Sequence, residues 1–294
     1  MAGDLHIHTT ASDGTFSPAE VVAWATRLRL STIGITDHDS VQGVELAKQT
    51  ATGTGISVLG GVEINTSIGD CEVHVLGYGM GSGSPLNKLL ARIRSARRHR
   101  VEEMVAKLQA AGFRVELNRV IQLAAGGTLG RPHVARALME QGYVRSIAEA
   151  FRTLLGYGCL AYVPRYKVTP HQAVEEILAA RGVPVLAHPG VLRGRGANIA
   201  NLLPSLVERG LMGLEVYHSE HTGEDVRRLL NACKRYGLLI TGGSDCHGSS
   251  PAQPALLGRV RVPDRAITAL REACLGEEKF GNVHRPAVDG HNIL

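Results

Sequence analysis

The sequence predicts an α/β protein in which a parallel sheet of short strands is covered by helices. Two observations carry this reading. Val/Ile/Leu-rich runs alternate with amphipathic helical segments at both ends of the chain, and nearly every run finishes in a histidine or a carboxylate. Size and composition agree: 294 residues, 44% hydrophobic and 20% charged, describe a globular chain long enough to bury a large core.

The elements follow in order. In "DLHIHT" (residues 4–9) Leu5 and Ile7 alternate with His6 and His8, the period-two pattern of a strand that projects both imidazoles from one face. "SPAEVVAWATRLRL" reads as a helix with Ser17 at the N-cap, Pro18 at the first helical position and Glu20 completing a capping box. "STIGITDHDS" is a strand ending in polar residues, "VQGVELAKQTAT" a helix and "ISVLGGVEINTS" a strand. "CEVHVLGYGM" sets Glu72, His74 and Leu76 against Val73 and Val75, as a hairpin-like partner would. Further on, the strands "PVLAHPG", "GLEVYHSE" and "LLITGGSDCHG" are separated by the helical "ANIANLLPSLVERG" and "HTGEDVRRLLNACKRYG".

The middle of the chain differs. Residues 95–168 read as helical without convincing strands, a small insertion that divides the main domain into 1–94 and 169–294. The final "GNVHRPAVDGHNIL" has little periodicity and reads as a loosely attached tail. No apolar run reaches the roughly 18 residues that span a membrane, and the N-terminus lacks the basic and apolar regions of a secretory signal. Five cysteines without a C-x-x-C pair suggest free thiols in a reducing compartment. A cytoplasmic enzyme without a membrane partner or an obligate protein partner is the expectation, and a net charge of +5 suits an anionic substrate.

Ionisable residues gather where the strands finish. His6 and His8 close the first strand, Asp13 lies in the loop behind it, and His38 closes the second. Glu63 follows the third, and His74 sits on the hairpin-like strand. His188, His218 and the pair Asp245 and His247 close the last three. In parallel α/β sheets ligands bind outside the carboxyl ends of the strands, so these residues converge on one rim. Singly, each has a bland explanation: Asp13 as a turn residue in "SDGT", Asp37 and Asp39 as helix caps, His188 as a core histidine. Jointly they are costly to gather unless they pair or bind metal.

Nitrogen and oxygen donors without a thiolate suit Mn²⁺, Fe²⁺ or Zn²⁺ rather than Ca²⁺ or a structural cysteine site. Cys246, between Asp245 and His247 on an extended segment, faces away from both. One catalytic metal takes about three protein ligands, so nine candidates imply two or three divalent metals, with Mn²⁺ foremost.

In combination, "HIH…D", "TDHD", "GVEI", "EVH", "AHPG" and "GSDCHG" resemble the polymerase and histidinol phosphatase (PHP) family over most of the chain. The resemblance implies a distorted (β/α)7, TIM-like barrel with a trinuclear metal centre that hydrolyses phosphoesters. It implies one metal on His6, His8, Glu63 and Asp245, with Glu63 bridging to a second that His74 and His188 complete. Asp13, His38 and His247 would hold the third; several family members carry histidine at the position of Asp13. Charge then implies in-line attack by a metal-bridging hydroxide, with Glu63 and Asp245 at the catalytic core. No serine or cysteine nucleophile motif competes: G-x-S-x-G is absent and "GGTLGR" lacks the lysine of a P-loop. His218 is the candidate proton donor to the leaving group, with a supporting role in the core as the alternative.

Substrate hints lie in the insertion. Leu86, Leu90, Ile93, Met104 and Leu108 mark an apolar helix stripe on which Arg97 falls, with Arg100 beside it. Arginines there suggest anion contacts; the alternative is a solvated basic helix with snorkelling stems. "GRPHVARAL" places Arg131 and His133 at a helix start, where free N–H groups favour phosphate. The short N-terminal motif, the helical insertion and "RPH" resemble the nucleoside 3′,5′-bisphosphate phosphatase subgroup, which implies release of the 3′-phosphate from a small nucleotide substrate. A 5′–3′ exoribonuclease acting on short RNA is the runner-up. An inactive metal-bound interaction module and a histidinol phosphatase stand behind these.

Overall fold

The computed structural model describes residues 2–69, 71–80, 86–124, 127–164, 166–192, 199–249 and 256–276. The segment read as a tail lies outside them. Seven strands form one sheet whose spatial order is the chain order: β1 (Ala2–Ile7), β2 (Leu30–Ile35), β3 (Ser57–Ile68), β4 (Cys71–Tyr78), β5 (Val183–Leu186), β6 (Gly213–His218) and β7 (Leu239–Gly243). The sheet nearly closes on itself. Asp245 N–H donates to the His6 carbonyl at 3.0 Å and His8 N–H to the Cys246 carbonyl at 2.9 Å, which joins the exit of β7 to β1.

Neighbouring strands are parallel except at β4, which runs antiparallel to both β3 and β5. Only two residues separate β3 from β4, too few for a crossover, and Gly69 there has φ +57°. A hairpin is the only connection that length permits. One consequence is that β4 carries His74 to the rim from the opposite direction to its neighbours.

The helices meet the sequence signals closely. In α1 (Pro18–Arg27) the Ser17 hydroxyl accepts the Glu20 amide and the Glu20 carboxylate accepts the Ser17 amide, a complete capping box. Helices α2 (Gln42–Ala51), α7 (Pro170–Ala179), α8 (Ile199–Glu208), α9 (Gly223–Tyr236) and α10 (Asp264–Leu275) accompany the sheet. Between β4 and α7 lie α3 (Leu86–Ala110), α4 (Leu117–Leu123), α5 (Arg131–Glu140) and the short α6 (Ile147–Ala150).

Helix α3 serves two cores. Its first turns pack Leu86, Leu89, Leu90 and Ile93 with Val73 and Val75 of β4 and Val174 and Ile177 of α7. Its second half gives Val101, Val105 and Leu108 to a separate apolar cluster with Val120, Val134, Leu138 and Leu155. This helical segment is tied back to the strand ends by polar contacts. Arg94 donates to the Asp39 carbonyl at 3.0 Å, Thr128 Oγ1 donates to the His38 carbonyl at 2.9 Å, and Thr128 N–H reaches the Ala11 carbonyl at 3.3 Å. It therefore sits over the rim on which the histidines gather.

Candidate metal centre

The alternation of β1 buries Leu5 and Ile7 in two apolar clusters and sends His6 and His8 together to the rim. Their Nε2 atoms stand 3.1 Å apart. Around them lie Glu63 Oε2, at 3.3 Å from His6 and 3.2 Å from His8, and Asp245 Oδ1, at 3.4 and 3.0 Å. The four residues offer one donor atom each within a 4.8 Å cluster. A second group uses the same carboxylate: Glu63 Oε1 lies 2.8 Å from His74 Nδ1 and 3.0 Å from His188 Nε2, while Oε2 lies 3.0 Å from His38 Nδ1. The third comprises His8, Asp13, His38 and His247, with Asp13 3.4 Å from His247 and 3.9 Å from both His8 and His38. All nine residues expected as metal ligands come together. His38 approaches Glu63 as well as Asp13, and His8 stands between two groups, neither of which the motif order indicates.

The buried polar atoms of this cluster fit divalent metal. His8 Nδ1, Asp13 Oδ1, Glu63 Oε2, His188 Nδ1 and Asp245 Oδ1 are buried without a hydrogen-bond partner. Glu63 Oε2 has three imidazole nitrogens within 3.3 Å and is aligned with none of them. Donors that crowd one another without bonding are costly unless a cation collects them. The set is imidazole and carboxylate only, and Cys246 faces into the apolar cluster around Ile7 and Ile35.

Electrostatics follow from the same packing. Burial pushes the Glu63 carboxyl up, yet His38, His74 and His6 hold it well below the ordinary range. Burial likewise disfavours a charged His8, but Asp245 and Glu63 raise its pKa to about 10. A metal at His8 would compete with that proton, so affinity should rise with pH.

Backbone strain concentrates here. Among the described non-glycine residues, five have positive φ, and three of them are Asp39 (+51°), His188 (+26°) and Asp245 (+54°). Each sits where a strand hands over to its loop, in a conformation that side chains with a Cβ disfavour.

The remaining expected residues divide. His218 is buried behind Asp245, with Nε2 3.5 Å from Asp245 Oδ2 and Nδ1 accepting the Glu220 amide at 3.2 Å. At that distance His218 Nε2 makes no hydrogen bond, and it joins the orphaned buried atoms of the cluster. Arg97, Arg100 and Arg131 line a cleft of about 290 Å³ together with Asp13, His38, His74 and His188. Arg97 is committed at one nitrogen, 2.6 Å from the buried Asp39 carboxylate. Arg100 donates Nε–H to the Val163 carbonyl at 2.8 Å. Arg131 lies over the Phe151 ring, 4.9 Å from its centroid. His133 accepts the Gly130 amide at Nδ1 and is buried, so it caps α5.

Sequence reasoning read Asp37 and Asp39 as helix caps and passed over Asn65 and Glu215; all four hold this centre, and the N-cap of α2 is Val41. Asp37 accepts from Thr9 N–H, Thr9 Oγ1 and Ser12 Oγ, fixing the loop that carries Asp13. Asp39 and Asn65 bond to each other, and Asn65 Nδ2 lies 3.0 Å from His38 Nδ1. Glu215, fully buried, meets His6 Nδ1 at 2.9 Å. The available signal was charge inside an apolar run: "GLEVYH" buries a carboxylate that has to find a partner.

The three groups give a first prediction. Asp13→Ala removes a carboxylate from the third group alone and should lower the metal content by one equivalent. Elemental analysis of the dialysed protein reads this directly; an unchanged content would return Asp13 to a turn residue.

Comparison with known proteins places this geometry. A family model described as the PHP domain matches residues 4–115. The chain is 33% identical to the phosphoribosyl 1,2-cyclic phosphate 1,2-diphosphodiesterase of Eggerthella lenta, over 88% of the chain and 99% of that protein. It is 32% identical to the 5′-3′ exoribonuclease Rnm of Escherichia coli, over 84% and 86%. It is 33% identical to the 3′,5′-nucleoside bisphosphate phosphatase of Chromobacterium violaceum, over 83% and 86%. A crystal structure from Bifidobacterium adolescentis, of a predicted metal-dependent phosphoesterase, superposes with a TM-score of 0.85 at 31% identity, covering 95% of this chain and 98% of that one.

Proposed function

The chain belongs to the PHP family, and from that premise we propose that it is a metal-dependent phosphomonoesterase that removes the 3′-phosphate from nucleoside 3′,5′-bisphosphates. The observation that carries this reading is the cleft itself. Its lining brings Asp13, His38, His74 and His188 of the cluster together with Arg97, Arg100 and Arg131, a combination that suits a small molecule with two anionic groups. Two of the relatives above are named for a ribose bearing two phosphate groups, which is the class such a cleft fits.

Within the three groups described we assign one metal to His6, His8, Glu63 and Asp245, one to Glu63, His74 and His188, and one to Asp13, His38 and His247, with His8 and His38 each lying beside a second group. Two or three Mn²⁺ ions suit this donor set. Bound metal supplies Lewis acidity toward the anionic ester and toward water. Protein side chains do the rest. Glu63 presents one oxygen to each of two groups and fixes their spacing. Asp245 holds its oxygen toward His6 and His8. Arg131 and Arg100 take the phosphate that is not cleaved and so orient the other over the cluster. No residue on the cleft wall is assigned as proton donor to the leaving group.

A second reading is favoured by one feature. Residues 95–168 carry twelve Lys and Arg against five Asp and Glu, while the whole chain is only +5. That segment would attract a polynucleotide, as an exoribonuclease requires. The two readings separate on substrate length. A mononucleoside bisphosphate should be cleaved with higher kcat/KM than a 5′-phosphorylated trinucleotide, and the rate should depend only shallowly on salt. Preference for the trinucleotide, with a steep salt slope, would reverse the assignment.

A further inference from the structure

The buried carboxylate of Glu215 bonds to two of the histidines at once, and only one of those bonds is to a ring. Oε1 accepts His6 Nδ1–H at 2.9 Å, and Oε2 accepts the backbone N–H of His188 at 2.7 Å. Both Glu215 and His6 are fully buried, so no water competes for either bond. The first bond fixes the tautomer of His6: with Nδ1 as donor, Nε2 keeps its lone pair, and Nε2 is the atom facing His8, Glu63 and Asp245. The second bond acts on the peptide of His188, whose φ of +26° a free chain would leave. It holds that strained turn in place and thereby the ring nitrogen that lies 3.0 Å from Glu63 Oε1.

We propose that Glu215 is a positioning residue that couples the two metal groups sharing Glu63, so that their metals load together. It touches neither substrate nor a candidate metal position; it acts through His6 on one group and through His188 on the other. Cooperation follows because one rigid carboxylate satisfies both. Loss of that carboxylate would release His6 Nδ1 and the His188 amide together, so the residues that would hold both metals lose their alignment in one exchange. The third group, around Asp13, has no contact with Glu215 among those described and meets the other two only through His8 and His38, so its affinity should change least. The proposal rests on the metal-binding part of the functional reading and on nothing about the substrate.

The test reads metal binding without substrate. Mn²⁺ isotherms are recorded by calorimetry for the metal-stripped wild type, Glu215→Gln and Glu215→Asp, with circular dichroism confirming the fold. The glutamine can offer its single carbonyl to one donor only. The aspartate keeps the buried charge but falls short by one methylene. The two tightest sites should weaken together, by about ten- to hundredfold, a range typical for loss of such a partner. The third should stay within about twofold. High Mn²⁺ should restore turnover in the folded variants. An unshifted isotherm, or weakening confined to one site, overturns the proposal. If neither variant folds, Glu215 is a structural residue and the proposal falls. A wrong choice of substrate class would leave these isotherms untouched, so the two failures are distinguishable.

Discussion

Glu63→Gln should abolish phosphate release while leaving the barrel folded. Its two oxygens lie within 3.3 Å of five imidazole nitrogens: His74 and His188 at one, His6, His8 and His38 at the other. Glutamine keeps the shape but replaces one anionic acceptor with an NH₂ group that cannot bind a cation. Because one side chain serves two groups, one loses its donor outright and the other keeps only a neutral amide oxygen. We expect turnover to fall by at least about a thousandfold, on the order of 4 kcal/mol of transition-state stabilisation. Elemental analysis should show at least one metal equivalent missing, and circular dichroism should match the wild type. Near-normal turnover in this variant, or in protein stripped of metal, would remove the hydrolytic mechanism altogether.

The second large effect concerns the arginines of the cleft. Arg131→Ala should reduce kcat/KM for a nucleoside 3′,5′-bisphosphate by about ten- to hundredfold, since a charge-assisted arginine–phosphate contact contributes roughly 1.5–3 kcal/mol. Hydrolysis of p-nitrophenyl phosphate, which has no second phosphate to hold, should barely change. Arg97→Ala should behave differently and slow both substrates. Removing Arg97 strips the partner from Asp39, a fully buried carboxylate that fixes Asn65 beside His38, so the harm extends to the metal side. Equal losses for Arg131→Ala on both substrates would show that this arginine supports the fold instead of the ligand.

Much of this was legible in the sequence because strand periodicity and strand ends are local signals. The two-residue alternation around His6 and His8, the capping box at Ser17 and the polar endings after each apolar run each follow from neighbours in the chain. The nine expected metal ligands were readable for the same reason. What was not readable depends on contacts between distant segments. Arg97 lies on the expected helix stripe, yet its partner Asp39 comes from the end of β2, 58 residues earlier, and nothing local pairs them. His133 carries a phosphate-binding pattern at a helix start, but the same position also suits a cap, and packing decided for the cap. Glu215 was passed over because an isolated charge in a strand announces only that some partner exists.

The left-handed backbone at Asp39, His188 and Asp245 has a thermodynamic consequence for the folded state as a whole. Each such residue costs about 1–3 kcal/mol, and the three together are comparable with much of the roughly 5–15 kcal/mol by which a domain is stable. Glycine would relieve the strain, but at His188 and Asp245 it would also delete the side chain that the centre needs. The relief therefore has to come from outside the chain. A ligand that binds only the folded form stabilises it by about 4 kcal/mol when present at a thousand times its dissociation constant. Metals at this rim would thus act as folding ligands as well as reagents, and the melting temperature should follow free Mn²⁺ concentration even when no substrate is present.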